Sequence, residues 1–465
     1  MRLERIYTPG LAQIAYLIGD EETGVATVID PRRDIEEYLA LATSAGLRIT
    51  HIFETHVHAD FVSGASELAQ ATGATIYASR LGESAFAHTP LDDGDTVEVG
   101  SLTFQARLTP GHTPEHLSYL VTDPAVSDRP QALFSGDMLF VGEVGRPDLL
   151  GEGQTDVLVS QLFDSIRERL IPLDDDLIVY PGHGAGSACG KKIGDSPSTT
   201  IGQEKRVNYA FQIPDRDAFK AEIMAGMPPA PTYYPVLKQV NKAGATLLAD
   251  LPPEQPMSAD AFAEQMDAGA LVIDARAPEA FGGAHVEGAI FAGLGPNFTT
   301  WMGWLAPYDS DIILVLDHDE QFEAARTELR RIGIDRVLGY LQGGMSAWTA
   351  SGRDIVSVPQ MSVHALHDTL ERADGLTVLD VRSADEWESG HIADAMHQYV
   401  AEIVRGKRPA EPEGPIALIC GSGYRSSVAA SVLQRAGWDD LINVIGGMTA
   451  WHTAKLPVED GAVAR

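Results

Sequence analysis

Cysteine is nearly missing from this chain: 465 residues contain two, Cys189 and Cys420. Two thiols cannot staple a chain of this length, so a disulfide scaffold is excluded and both are expected to be free in a reducing compartment. Long apolar runs are missing too, none reaching the roughly 18 residues that a membrane helix needs. The N-terminal stretch MRLERIYTPGLAQIAYLIGDEE lacks the apolar core and cleavage site of a signal peptide. A cytoplasmic protein without membrane segments is the expectation. Positive charge is also scarce, with 34 Lys and Arg against 66 Asp and Glu and a formal net charge of −32. A surface of that sign repels nucleic acid and anionic membranes. It repels small anions as well, so an anionic substrate needs a local basic group such as Arg146 or Arg425.

What is present reads as about three domains, at roughly 150 residues each. Residues 1 to about 205 alternate short apolar runs such as AQIAYLI and GVATVID with Gly, Pro and Asp turns and with helical stretches such as DIEEYLALATSAG, the pattern of a layered α/β domain. Residues 206–255 contain MPPAPTYYP and LPPEQP, whose prolines suit a connecting segment. The rest repeats itself. VIDARAPEAFGGAHVEGAI matches VLDVRSADEWESGHIADAM at an offset of 106, pairing Asp274 with Asp380, Arg276 with Arg382 and His285 with His391. Further on, LQGGMSAW matches VIGGMTAW at an offset of 103. Two homologous α/β units are expected, giving domains 1–255, 256–358 and 359–465. At the second offset Asp317 of LVLDHDEQF falls opposite Cys420 of ALICGSGYRSS, so one copy has a thiol and the other does not.

Residues 55–61, THVHADF, pack two imidazoles and a carboxylate behind the apolar run ITHIF. His112 follows LTFQARL, Asp137 follows QALF and His183 follows LIVY. Each candidate ligand thus comes directly after a predicted strand, where α/β scaffolds carry their chemistry.

This pattern resembles the HxHxDH run and the later His, Asp and His ligands of the metallo-β-lactamase superfamily, at residues 56–61, 112, 137 and 183. The resemblance implies an αββα sandwich. It departs at Phe61, where the family has a His that helps to hold a second metal. Asp60 and His183 are left as an incomplete pair, which disfavours hydrolysis by two metals. Two imidazoles and one carboxylate leave open positions on ferrous iron, and the persulfide dioxygenase branch of the superfamily is the closer likeness. It implies one Fe(II) in the N-terminal domain, ligated by His56, His112 and Asp137, with His58, Asp60 and His183 holding ligands and waters around it. FVGEVGRPDLLG resembles that branch's loop with an arginine near the iron, so Arg146 is a candidate substrate contact. Cys189, six residues after His183, is a second candidate there.

CGSGYRS lies between the apolar strand PIALI and the helical pattern SSVAASVLQRAG. Such a loop can turn its N–H groups onto the sulfur, with the helix N-terminus and Arg425 adding positive potential. Together with DVRSADEWESGHI and IGGMTAW it resembles the rhodanese sulfurtransferases, which implies Cys420 as their catalytic thiol and Arg425 as their loop arginine. The unit before it resembles the same fold without the thiol and is expected to be inactive.

The whole chain is similar to fusions of persulfide dioxygenase with a degenerate and an active rhodanese domain. That implies oxidation of a low-molecular-weight persulfide, of glutathione, coenzyme A or a similar thiol, by O2 to sulfite. Sulfur transfer at Cys420 would then give thiosulfate, as in sulfide detoxification. A homo-oligomer is expected. Two alternatives stand beside it: a glyoxalase-II-like thioester hydrolase fused to a sulfurtransferase, and a non-enzymatic sulfur-relay scaffold.

Overall fold

The structure is a computed structural model and describes residues 1–372, 375–410 and 414–459. It divides into two compact units, the first Met1–Leu251 with Leu329–Gly333, the second the remainder from Pro252 on.

The first unit holds two six-stranded sheets face to face. One runs Arg2–Thr8, Gln13–Asp20, Val25–Ile29, Arg48–Phe53, Thr75–Ser79 and Thr89–Leu91, in chain order across the sheet. The other runs from Thr96–Val99 through Leu102–Leu108, Leu117–Thr122, Ala132–Gly136 and Ile178–Pro181 to Thr199–Thr200. Every residue of Gln13–Asp20 and of Ala132–Gly136 is buried, which is why these strands read as continuous apolar runs rather than alternations. Ile14, Tyr16 and Phe53 meet Phe104, Tyr119 and Phe134 between the sheets, with Phe53 stacked on Phe104 at 5.0 Å. Helices Glu36–Ser44 and Ala65–Thr72 cover the first sheet through Tyr38, Ala42 and Leu68, and helix Glu152–Ser165 covers the second through Val159 and Leu162. The result is the expected αββα sandwich.

The proline-rich stretch is more than a connector. It contains helices Arg216–Met224 and Tyr234–Ala243, with Phe219, Ile223, Tyr234, Leu237 and Asn241 buried in the first unit. Pro235 falls in the first turn of its helix, where the missing N–H would have had no helical partner anyway.

The second unit contains two five-stranded parallel sheets with the same strand order. The first is Gln255–Met257, Val337–Leu341, Ile312–Val315, Leu271–Asp274 and Ile290–Phe291; the second is Gln360–Met361, Leu441–Val444, Ile416–Ile419, Thr377–Asp380 and Met396–His397. The repeated Asp, Arg and His are structural. Asp274 and Arg276, like Asp380 and Arg382, form buried pairs at 2.6 Å, and each arginine also donates to a loop carbonyl, Ala284 or Gly390.

The strand register corrects the alignment of the two copies. Val315 pairs with Asp274 where Ile419 pairs with Asp380, so the next residues, Leu316 and Cys420, are equivalent. A glycine turn then closes over each carbonyl: a Cβ on Gly344 would lie 2.7 Å from the Leu316 oxygen, and one on Gly447 2.3 Å from the Cys420 oxygen. Leu316, not Asp317, occupies the place of the thiol, so no nucleophile of any kind stands there.

No helix among the described residues is long and apolar enough to cross a membrane.

Candidate metal centre and thiol loop

His56, His112, Asp137 and His183 all emerge just past strand ends at Phe53, Leu108, Gly136 and Pro181. Three of them converge. Nε2 of His56 lies 3.8 Å from Oδ2 of Asp137, and Nε2 of His112 lies 3.5 Å from it. The far nitrogens are committed elsewhere. The His112 Nδ1–H donates to the Arg146 carbonyl at 2.9 Å. The His56 Nδ1–H donates at 2.9 Å to the Thr55 hydroxyl, which itself donates to Asp30. Both Nε2 atoms therefore present lone pairs to the same point. Burial pushes both imidazoles below their ordinary pKa, which keeps them neutral. Asp137 is the reverse: burial opposes its charge, but the neighbouring His183 outweighs that and holds its carboxyl well below the carboxylate range.

Oδ2 of Asp137 is buried and has no hydrogen-bond partner. A desolvated carboxylate oxygen facing two imidazole lone pairs is repelled on every side unless a cation sits among them. The donor set fits a metal ion, and His56, His112 and Asp137 are the residues to hold it.

His58 belongs to a separate group. Its Nε2 lies 3.1 Å from Asp30 and 3.4 Å from Glu54, and although burial opposes it these acids raise its pKa well above the usual value. The buried Phe61 ring packs against His58 at 4.4 Å between centroids. His183 is a bridge, its Nδ1 bonded to Asp137 and its Nε2 to Asp60, each at 2.7 Å. Burial opposes its charge too, but the two carboxylates push its pKa up to about 10.

Several contributors carried no sequence signal strong enough to single them out. His116, in the same TPGHTPEH run as His112, accepts the Asp137 N–H on Nε2 at 3.1 Å and so fixes the backbone of a candidate ligand. The helix Tyr234–Ala243 presents Tyr234, Lys238 and Asn241, at spacings i, i+4 and i+7, on one face. The Asn241 amide donates to the carbonyls of His58 and Phe61 at 2.9 and 2.7 Å and accepts the Ser63 N–H, which pins the THVHADF loop.

Arg146 does not present its guanidinium to the centre. It is fully buried, bonded to Asp148 at 2.6 and 2.7 Å and to the carbonyls of Ala188 and Pro228. Its main chain does the work near the ligands, accepting from His112 and donating to the Cys189 carbonyl. Cys189 lies close to the Asp60 and His183 ligand atoms, with Sγ 3.8 Å from the Tyr234 hydroxyl. Burial, reinforced by Asp60 and Asp137, pushes its thiol well above the ordinary value, so it rests as a neutral SH.

The second chemical centre is the loop after strand Ile416–Ile419. The buried Cys420 Sγ accepts the Gly423 N–H at 3.1 Å and the Ser426 hydroxyl at 3.4 Å, at the N-terminus of helix Tyr424–Arg435. Donors and helix N-terminus are placed to meet the negative charge of a persulfide carried on that sulfur. Arg425 is held by Glu386 at 2.6 and 2.7 Å, and that bond brings the Glu386 carboxyl down to about 2. Gly447 closes the loop from above with φ +52, where a methyl would strike the Cys420 carbonyl. Gly447→Ala should lower thiosulfate-to-cyanide sulfur transfer about tenfold or more, since a non-glycine residue in that region costs roughly 1–3 kcal/mol before any clash. Oxygen uptake by the same variant, recorded beside the transfer assay, should be unchanged.

The metallo-beta-lactamase superfamily model matches residues 9–183, and the rhodanese-like domain model matches residues 258–351 and 362–454. Among curated proteins, hydroxyacylglutathione hydrolase GloC of Haemophilus influenzae is 31% identical over 229 residues, covering 45% of this chain and 97% of that protein. Mitochondrial persulfide dioxygenase ETHE1 of Homo sapiens is 31% identical over 184 residues, covering 39% of this chain and 67% of that protein. A metallo-beta-lactamase from Staphylococcus aureus, known from its crystal structure, is 35% identical with a TM-score of 0.66, over 74% of this chain and 99% of that one. Hydrolases and dioxygenases both match the same part of the chain, hydroxyacylglutathione hydrolases at up to 36% identity and the persulfide dioxygenases at 29–31%, which leaves the choice between them to the geometry of the centre.

Proposed function

The chain belongs to the metallo-beta-lactamase superfamily and carries two rhodanese-like domains behind that fold, and from this premise we propose that it is a persulfide dioxygenase joined to a sulfurtransferase. The observation that carries this reading is the donor set: two imidazoles and one carboxylate whose inner oxygen has no protein partner. That set suits a single ferrous ion with open positions, and the ion, when bound, would supply the activation of O2.

The chain's own residues do the rest. The Arg146 carbonyl and the Thr55 hydroxyl fix the tautomers of His112 and His56. His183 holds Asp137 charged and aligned, and His116 holds its backbone. The net reaction is RSSH + O2 + H2O → RSH + SO3²⁻ + 2H⁺. At the other centre the Cys420 thiolate attacks the outer sulfur of a second persulfide, forming a Cys420 persulfide and releasing RSH. Sulfite then takes that sulfur as thiosulfate and regenerates the thiolate. The degenerate copy, with Leu316 in the nucleophile's place, has no part in this chemistry.

A thioester hydrolase would use a second ion, and Asp60, His183 and Cys189 are the group available for it. Both His183 nitrogens are already engaged by carboxylates, so this group offers fewer open donors than the first. Metal at two equivalents per chain would favour the hydrolase.

The test is oxygen consumption by iron-loaded protein, prepared without air, on addition of glutathione persulfide or coenzyme A persulfide. Rapid iron-dependent uptake with sulfite or thiosulfate as product is expected. No uptake with either donor, in protein shown to hold iron, overturns the reading.

A further inference from the structure

A cleft of about 560 Å³ opens beside the metal centre. Val57, between His56 and His58, and Pro114, two residues after His112, lie in its wall, so it adjoins the ligand loops directly. Leu81, Leu149 and Leu150 make much of it apolar, and Lys238 comes in from the helix Tyr234–Ala243. Lysine ordinarily lays its stem along apolar surface and sends the ammonium out to water. Lys238 does the opposite. Its residue is only partly buried, yet its Nζ is wholly buried and has no hydrogen-bond partner. Glu115, Cys189, Asp137 and Asp60 are within its electrostatic reach, but none is bonded to it; the Glu115 carboxylate already accepts the Val57 N–H at 3.0 Å. Burial accordingly presses on the charged form of the amine.

An orphaned cation beside a metal centre, in a chain with a net charge of −32, is costly unless an anion arrives to meet it. We propose that Lys238 binds the anionic sulfur of the substrate, the perthiolate RSS⁻ on entry and the sulfite formed from it, while the leucine-lined cleft takes the body of the thiol carrier. Persulfides are more acidic than thiols and reach neutral pH as anions, so the charge to be met is on the reacting sulfur itself. The same lysine separates a persulfide from its neutral parent thiol, which fills the cleft equally well but brings no charge to Nζ. It also answers the question left by Arg146, whose guanidinium is spent on Asp148 and two carbonyls. This deepens the dioxygenase reading and rests on it.

The test compares wild type with Lys238→Met, which keeps the length and apolarity of the stem and removes the charge. Glutathione persulfide is the substrate, and sulfite binding is followed by calorimetry without oxygen. The variant should keep its iron and its thiosulfate-to-cyanide transfer, raise KM for the persulfide about ten- to hundredfold with kcat much less affected, and weaken sulfite binding by a similar factor, the range expected for a hydrogen bond to a charged group. Lys238→Arg should restore part of both. If Lys238→Met folds poorly, Lys238→Gln carries the same comparison. Unchanged KM and unchanged sulfite binding in a folded, iron-loaded variant overturn the proposal while leaving the dioxygenase reading intact. Failure of the wild type to consume oxygen overturns both.

Discussion

Asp137→Ala abolishes metal binding and oxygen uptake while thiosulfate-to-cyanide sulfur transfer continues at the wild-type rate. That is the expected result, and its size follows from the geometry. Loss of a mere hydrogen-bond partner of a metal ligand costs roughly 10–100-fold in affinity. Removing the ligand that carries the only negative charge of the donor set should cost more than about a hundredfold. Asp137 also holds one side of His183, so the alanine leaves that imidazolium with Asp60 alone. Breaking one side of a buried ion pair costs about 3–5 kcal/mol, and a drop in thermal stability is expected alongside the lost metal. Asp137→Asn separates the two effects. Its amide oxygen still accepts from His183 and its size is unchanged, but it offers no charge to a cation. The asparagine variant should melt closer to wild type than the alanine variant and still bind little iron. The measurements are iron per chain, oxygen uptake and the cyanide assay on the same preparation. Iron and oxygen uptake surviving in a folded Asp137→Asn would sink the ligand assignment. Loss of both activities in a folded variant would sink the division of labour between the two centres.

The candidate ligands were legible because each is a His or Asp placed directly behind an apolar run, and parallel or mixed strands of one sandwich deliver their ends to one edge. His56, His112 and Asp137, the set that the family resemblance implied, do come together. The layered α/β character of the first unit was legible in its unbroken apolar runs, which are fully buried strands, and the two later α/β units in their internal repeat; the αββα arrangement came only with the family resemblance. Direction was not legible. Nothing in GRPDLL says that Arg146 turns to Asp148 two residues on rather than to the metal, because a long side chain's choice of partner is made by tertiary contacts. Nor did the one-residue difference between Leu316 and Asp317 show. Matching the downstream GGM blocks carries an offset of 103 back through a loop whose length differs between the copies, and only strand pairing locates that change. The helix Tyr234–Ala243 was hidden by its surroundings. Prolines on both sides read as a break, although Pro235 in a first turn is a helix start. The i, i+4, i+7 series of Tyr234, Lys238 and Asn241 was the available signal, and its polar members weaken any apolar periodicity that would have drawn attention to it.

Cys420→Ser should change the product without changing the oxygen chemistry. The substitution is nearly isosteric, and a serine oxygen can accept the same Gly423 N–H and Ser426 hydroxyl that now point at Sγ, so the loop should keep its shape. What disappears is a nucleophile that can form a bond to sulfane sulfur. Transfer should fall by about a thousandfold or more, as loss of a covalent nucleophile does in other enzymes. Oxygen uptake per chain should be unaltered, but ion chromatography should find sulfite accumulating in place of thiosulfate. The other thiol is not expected to rescue the reaction. Cys189 is held neutral by burial, reinforced by the acids Asp60 and Asp137, with the Tyr234 hydroxyl beside it, whereas Cys420 sits at a helix N-terminus with two donors aimed at it. A thiosulfate yield equal to that of wild type in Cys420→Ser would contradict this. Repeating the experiment in the double variant with Cys189→Ser would then decide between the second thiol and reaction in solution: yield lost in the double variant assigns the transfer to Cys189, and yield retained removes it from the protein altogether.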